Sequence, residues 1–223
     1  MTVAARALHL SPSPPAPRPM SLPAVRPESE RSLREAAETN DMVRRHLAGD
    51  PLAFNELVGR YHGRVLRFTM RMIGDRECAE DLVQEAFFRV SRHIHRFDTS
   101  RKFSTWLYTI VSNLSKNELR RRRRSPLVLY ESNSSDDDTG PMQFADARGR
   151  PDDAMAYRDL TKLVDATLAR LPALYRDVLV LRELEGRTYD EMGVILGCRL
   201  GAVKSRLHRA RMSFLALIAP HLD

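Results

Sequence analysis

From residue 50 onward, apolar residues recur at spacings of three and four, the rhythm of a helix with one buried face. Asp50-Pro51 predicts a helix start, with Asp as N-cap and Pro at the first helical position. The face that follows carries Phe54, Leu57, Val58, Tyr61, Val65, Phe68 and Met72, and Gly74-Asp75 punctuates it. Ala79, Leu82, Val83, Ala86, Phe87 and Val90 form a second face, and Phe103, Trp106, Leu107, Ile110, Val111 and Leu114 a third. Together with a shorter helix around residues 42–47, these faces can enclose one small core.

A second set of faces starts near residue 154. Leu160, Leu163, Val164, Thr167, Leu168 and Leu171 make its first helix, stopped by Pro172, and Tyr175, Val178, Leu179 and Leu181 its second. No strand pairs or internal repeats appear. The expected fold is all-α, with two small helical domains at residues 39–124 and 154–223. The segment 125–153 carries Glu131, Asp136, Asp137, Asp138, Asp146, Asp152 and Asp153 among Ser, Gly and Pro, which predicts a flexible acidic linker. Residues 1–38 hold seven of the thirteen prolines and follow no period, so a disordered Pro-rich extension is expected there. It reads as a partner-binding arm, a solvated tail or the product of a misplaced start, with Met20 and Met42 as alternative starts.

Charge narrows the partners. The formal net charge is +7, which favours a polyanion such as nucleic acid or an anionic membrane. No apolar run approaches the ~20 residues that cross a bilayer, so no membrane insertion is expected. Prolines 12, 14 and 15 interrupt any secretory apolar core, and a cytoplasmic location follows. The two cysteines, Cys78 and Cys198, supply neither a disulfide framework nor a four-cysteine zinc site.

The most specific local pattern spans residues 188–211. Thr188 and Glu191 make a capping box that opens a short helix. Gly197 to Gly201 then supplies a tight turn, and residues 202–217 a second helix with Val203, Leu207, Ala210 and Phe214 inward. Short helix, glycine turn and basic helix is the helix-turn-helix layout, whose second helix enters a major groove. Its outward residues are Arg199, Lys204, Ser205, Arg206, His208, Arg209 and Arg211. Five Lys or Arg and no carboxylate lie between 199 and 211, suited to guanine edges and phosphates.

A second basic concentration lies upstream, where residues 89–124 hold eleven Lys or Arg against two acids. Within it Thr105, Thr109, Ser112, Asn113, Lys116, Asn117 and Arg120 form a polar stripe opposite Trp106 and Ile110, and Arg120 and Arg121 open a run of five arginines. The loop before it, with Phe97, Asp98, Ser100, Lys102 and Phe103, mixes aromatics with polar groups. That mixture suits unpaired bases, which offer a stacking face and free edges. For Phe103 and Trp106 a place in the core is an equal reading. The preceding helix has the opposite sign: Glu80, Asp81, Gln84 and Glu85 lie away from the apolar face, edged by Phe88. No ligand set, Gly-rich phosphate loop or nucleophile triad accompanies these carboxylates, so no catalytic residue, cofactor or metal is assigned. A protein-docking surface or a solvated face is expected instead.

At this point the residues resemble a known family, the extracytoplasmic-function branch of the sigma-70 class. Asp81-Leu82-Val83-Gln84-Glu85-Ala86-Phe87 is similar to its polymerase-binding segment, and Phe103 to Ile110 with Asn113 to its −10 recognition segment. Leu181 to Gly186 and Gly201 to Arg211 resemble its −35 module. The likeness covers about residues 41–219, with the linker in the expected place. It implies that Asp81, Leu82, Gln84, Glu85 and Phe88 dock on core RNA polymerase. The loop 96–103 would capture a flipped base, at a cost of a few kcal/mol that binding must offset. Thr105, Trp106, Asn113, Lys116, Asn117, Arg120 and Arg121 would hold the nearby strand. Arg199, Gly201, Ala202, Lys204, Ser205, Arg206, His208, Arg209 and Arg211 would read the −35 duplex. The partners implied are core polymerase, promoter DNA and an anti-sigma factor.

Three positions depart from the family pattern. Arg199 stands in place of Pro, Gly193 in place of Ala, and Ala202 where Thr or Ser caps the recognition helix. Loss of that cap is expected to cost on the order of 1 kcal/mol. The competing readings are a stand-alone helix-turn-helix regulator that binds duplex DNA without polymerase, and a nucleic-acid enzyme for which no nucleophile or metal carboxylates are found.

Overall fold

A computed structural model describes residues 30–124 and 151–221, and every regular element among them is helical. The first module consists of α1 (Glu30–Leu47), α2 (Ala53–Ile73), α3 (Arg76–His93), a 3-10 turn (Ile94–Arg96) and α4 (Phe103–Arg124). The second consists of α5 (Pro151–Arg170), α6 (Ala173–Leu179), a π-helical turn (Val180–Leu184), α7 (Tyr189–Leu196) and α8 (Leu200–Ile218), closed by a 3-10 turn (Ala219–His221).

The predicted apolar faces are the buried ones. Leu57, Tyr61, Val65 and Phe68 of α2 meet Val83, Ala86 and Val90 of α3 and Phe103, Leu107, Tyr108 and Val111 of α4. In the second module Val178, Leu179 and Leu181 pack with Met192, Ile195, Val203, Leu207 and Ala210. The buried residues of both modules form one connected apolar cluster, so the modules are packed together rather than merely tethered. Leu160, expected on the inner face of α5, is half exposed.

Helix ends differ from expectation in four places. The first helix begins at Glu30, so residues 30–38 are helical although the sequence places them in the Pro-rich extension. They are held by tertiary partners: Glu35 pairs with Arg64 and Glu38 with Arg60, and just beyond them Thr39 Oγ1 lies 3.0 Å from the Tyr61 hydroxyl. At α2 the helix starts two residues after Pro51, which sits in a turn. The Asp50 carboxylate still accepts from the Leu52 N–H at 2.9 Å, and it also binds Arg45. At α5, helix begins at Pro151, so residues 151–153 belong to it. The rest of the acidic linker, and the extension before Glu30, lie outside the described residues. At α8 the N-cap is Arg199 rather than Ala202, which lies inside the first turn. No side chain caps this end, so the uncapped position is real but lies three residues earlier.

The turn between α7 and α8 follows the sequence reading. Thr188 accepts from the Glu191 N–H at 3.2 Å and Glu191 accepts from the Thr188 N–H at 2.8 Å, closing the capping box. Gly197 ends α7 at φ 64°, in the left-handed region that favours glycine. The next residues fold back so tightly that a Cβ on Gly193 would lie 3.1 Å from the Cys198 carbonyl oxygen. Glycine at 193 therefore gives this turn room, beyond its small cost in helix propensity.

Candidate nucleic-acid interface

Helix α8 presents the surface its sequence promised. Val203, Leu207 and Ala210 are buried, which turns Arg199, Gly201, Lys204, Ser205, His208 and Arg209 to solvent. Arg209 donates to the Ser205 hydroxyl at 2.7 Å, so these two project as a unit. Ala202 is partly covered. Arg211 is not a free cation: its Nε and Nη2 both reach Glu183 Oε1, at 3.0 and 2.6 Å. Arg206 is half-buried, close enough to Asp177 of α6 for its charge to act on that carboxyl.

The loop before α4 is built rather than loose. The Ser100 hydroxyl, with the Ser100 N–H that donates to Asp98 at 2.9 Å, holds the Asp98 carboxyl below the usual range. Asn40 of α1 donates to the Thr99 carbonyl at 2.7 Å and pins the loop from outside. Phe97 stacks on Trp106 with centroids 5.2 Å apart, and both meet the edge of Phe103. Phe103 is buried and belongs to the core; Phe97 and Trp106 are half-buried and keep part of their surface open. Aromatic edges at the mouth of a fixed polar loop suit a stacked base.

Along α4 the predicted polar stripe divides. Asn113, Asn117 and Arg120 are exposed, with Arg120 donating to the Asn117 amide oxygen at 3.3 Å. Arg121 is exposed but holds Glu118 with two hydrogen bonds, at 2.7 and 2.8 Å. Those bonds, joined by Arg122, bring the Glu118 carboxyl down to about 2. Lys102, Thr105 and Lys116 turn instead toward the second module. Lys102 lies 3.1 Å from Glu191, and the Thr105 hydroxyl 3.5 Å from the same carboxylate. Burial lowers the pKa of the Lys116 ammonium, while Asp177 acts against that shift.

The acidic patch on α3 is open. Asp81, Gln84 and Phe88 are exposed, Leu82 is half-buried against the core, and Glu85 pairs with Arg89 at 2.6 Å. The guanidinium of Arg92 lies 5.6 Å from the Phe88 ring centroid. An exposed phenylalanine beside free carboxyl and amide groups has the make-up of a protein-docking surface.

Comparison with known proteins decides the family. Residues 57–125 match the family described as Sigma-70 region 2, and residues 161–214 match Sigma-70, region 4. The chain is 35% identical over 163 residues to the ECF RNA polymerase sigma factor SigW of Bacillus subtilis, covering 73% of this chain and 87% of that one. The chain belongs to the extracytoplasmic-function branch of the sigma-70 family. It is also 33% identical over 186 residues to the RNA polymerase sigma-H factor of Pseudomonas aeruginosa, covering 83% and 96% of the two chains. Among solved structures it resembles CnrH in complex with the cytosolic domain of CnrY, with a TM-score of 0.58 and 25% identity over 82% of this chain and 97% of that one.

In this sigma factor some polar residues that position the interface are silent in the sequence. Asn40 is one. Arg176 is another: it donates to the carbonyls of Arg71 and Met72 at the end of α2, and to those of Ala169 and Leu171 around the end of α5. Arg187 is nine-tenths buried, donates to the Ser104 hydroxyl at 2.7 Å, and lies over the Tyr108 ring at 4.3 Å. The partners of Asn40 and Arg187 named here, and the α2 carbonyls that Arg176 holds, are 59 to 105 residues away along the chain, so no local pattern marks these contacts. Among the described residues no helix is long and apolar enough to cross a membrane, and no group of His, Cys, Asp or Glu is arranged to hold a metal.

Proposed function

We infer that this sigma factor binds core RNA polymerase, directs it to promoters and helps open them. The order of the two family regions in one chain carries the reading, together with relatives of similar length that bear the same function in their names. The geometry above supports the following residue roles. Asp81, Gln84 and Phe88, with Leu82 and Glu85 beside them, make the polymerase-docking patch on α3. Phe97, Trp106 and the loop Asp98–Lys102 receive an unpaired base of the −10 element. Asn113, Asn117 and Arg120 track the strand beyond, with Thr105, Lys116 and Arg121 contributing once their present partners release them. Arg199, Lys204, Ser205, His208 and Arg209 read the −35 duplex, with Gly201, Ala202, Arg206 and Arg211 along its margins.

The chain does no catalysis of its own in this reading; the polymerase supplies the chemistry. It works in the cytoplasm, where polymerase and promoter are. CnrH is described bound to the cytosolic domain of CnrY, and a comparable protein inhibitor fits this relative.

A gel-shift comparison separates the reading from a stand-alone regulator. With core polymerase, the chain is expected to give a specific, heparin-resistant complex on a promoter fragment, and without it only weak, salt-sensitive binding. Strong sequence-specific binding by the isolated chain would favour the regulator.

A further inference from the structure

Between α1, α2 and the turn that leads into α7 lies a polar cleft of about 450 Å³ whose lining carries a cationic surplus. Arg64, Arg67 and Arg71 come from α2, Lys102 from the loop before α4, and Arg187 from the turn. Among the described residues three carboxylates share the lining, those of Glu35, Glu185 and Glu191. Asp165 adds a fourth from outside it, through its 2.8 Å pair with Arg71, and the five positive charges still outnumber the negative ones. The three α2 arginines recur at spacings of three and four, so they share one helix face and span about 10 Å of its rise.

The arginine of the turn is only partly satisfied. Gly186 turns the chain at φ 65°, in the left-handed region, and brings Arg187 against Ser104 and the Tyr108 ring. The Arg187 side chain is nine-tenths buried, yet its Nε has no partner. A buried charged donor left unpaired is costly, and an anion that pairs with the guanidinium offsets that cost. Elsewhere on the lining Glu35 takes Arg64, Glu191 takes Lys102, and Glu185 accepts from the Tyr108 hydroxyl at 2.5 Å. Arginine forks match phosphate oxygens in bidentate pairs, and arginines spread along a helix face suit linked phosphates better than one. Aromatic surface for a nucleobase is scarce, because Tyr61 and Phe103 on this lining are almost fully buried. Recognition therefore falls on the phosphates.

We propose that this cleft binds a short polyphosphate chain, free or carried by a nucleotide, with Arg67, Arg71 and Arg187 as its phosphate-binding side chains. The cleft is of the size that holds small ligands. A ligand bound only by the folded chain stabilises it, so the unfolding midpoint rises with ligand concentration. Such a ligand is bound whether or not the chain meets promoter DNA.

Calorimetric titration of the full chain with sodium tripolyphosphate, at about 0.15 M salt to screen exposed charges, tests this. One saturable site is expected, with a rise in the thermal unfolding midpoint. Arg67→Gln is expected to weaken binding about tenfold, the loss of one charge-assisted pair. The control Arg123→Gln with Arg124→Gln removes two exposed arginines at the end of α4 and is expected to change affinity by less than about twofold. No saturable binding, binding at several sites, or a loss in the control as large as that in Arg67→Gln overturns the proposal, because the anion then only coats exposed cations. A second measurement needs no variant. Phenylglyoxal labelling of the parent chain, read by peptide mass spectrometry, is expected to show Arg67 protected by tripolyphosphate while Arg123 and Arg124 stay reactive. Equal protection of all three, or none at Arg67, overturns it too. GTP serves as the nucleotide probe: binding of both anions supports a chain carried by a nucleotide, and binding of tripolyphosphate alone supports the free one. Binding of GTP without tripolyphosphate would mean that the base is recognised, and would overturn the assignment to phosphates. None of these results bears on polymerase-dependent promoter binding, which the gel-shift comparison scores separately.

Discussion

Replacing Arg176 with alanine removes one side chain and strips four carbonyl oxygens of a donor. The guanidinium reaches Arg71 O and Met72 O at 3.1 Å each, Ala169 O at 2.7 Å and Leu171 O at 3.1 Å. These lie around the C-terminal ends of α2 and α5, where carbonyls have no partner in their own helix and a cation also meets the negative end of the dipole. A hydrogen bond to a charged group is worth about 1.5–3 kcal/mol when lost. Water can reach part of this site, so the four losses do not add, and a total of about 2–4 kcal/mol is expected. With a urea dependence of about 2 kcal/mol per molar, the midpoint of far-UV circular dichroism unfolding falls by about 1–2 M. Arg176→Lys keeps the charge but not the planar fork, and is expected to recover less than half of the loss. A midpoint unmoved by Arg176→Ala would refute the claim that this arginine joins the modules by capping both helices.

Other predictions address single groups. Burial pushes the Asp177 carboxyl up to about 6, with Lys116, Arg176 and Arg206 opposing. The folded protein therefore holds a proton that the unfolded chain releases near pH 4, and stability falls as pH rises from about 4 through 6, by up to about 3 kcal/mol. Asp177→Asn is expected to flatten that slope in urea titrations at each pH. An unchanged slope would mean the group ionises freely. Asp81→Arg reverses an exposed charge on α3 and is expected to weaken core-polymerase binding at least tenfold in a pull-down while helicity stays constant. Equal affinity would remove α3 as the docking surface. Arg209→Ala is expected to cost about 1–3 kcal/mol of discrimination between −35 sequences at fixed salt. An equal loss on every sequence would make Arg209 a phosphate contact instead.

Sequence pattern revealed what lies on one helix. The inner faces of α2, α3, α4 and α8 were legible because burial imposes the same short period on each. The capping box at Thr188 and the left-handed Gly197 were legible because a helix end needs those residues locally. The first nine residues of α1 were not: they are held by Arg60 and Arg64 of α2, partners that no local pattern shows. The outward cations of α8 could be read directly, but not that Arg211 is held by Glu183 or that Arg206 is half-buried. The same limit split the α4 stripe. One helical period puts Lys116 and Asn117 side by side in sequence, and only the packing of the second module leaves one open and covers the other.

Transcription by purified core polymerase tests the account most directly. Templates would be fragments of the source genome, and the readout discrete run-off products with mapped start sites. The account predicts initiation that depends on this chain and is lost when Asp81→Arg replaces it. Output no greater with the chain than without it, on every template, would contradict the account.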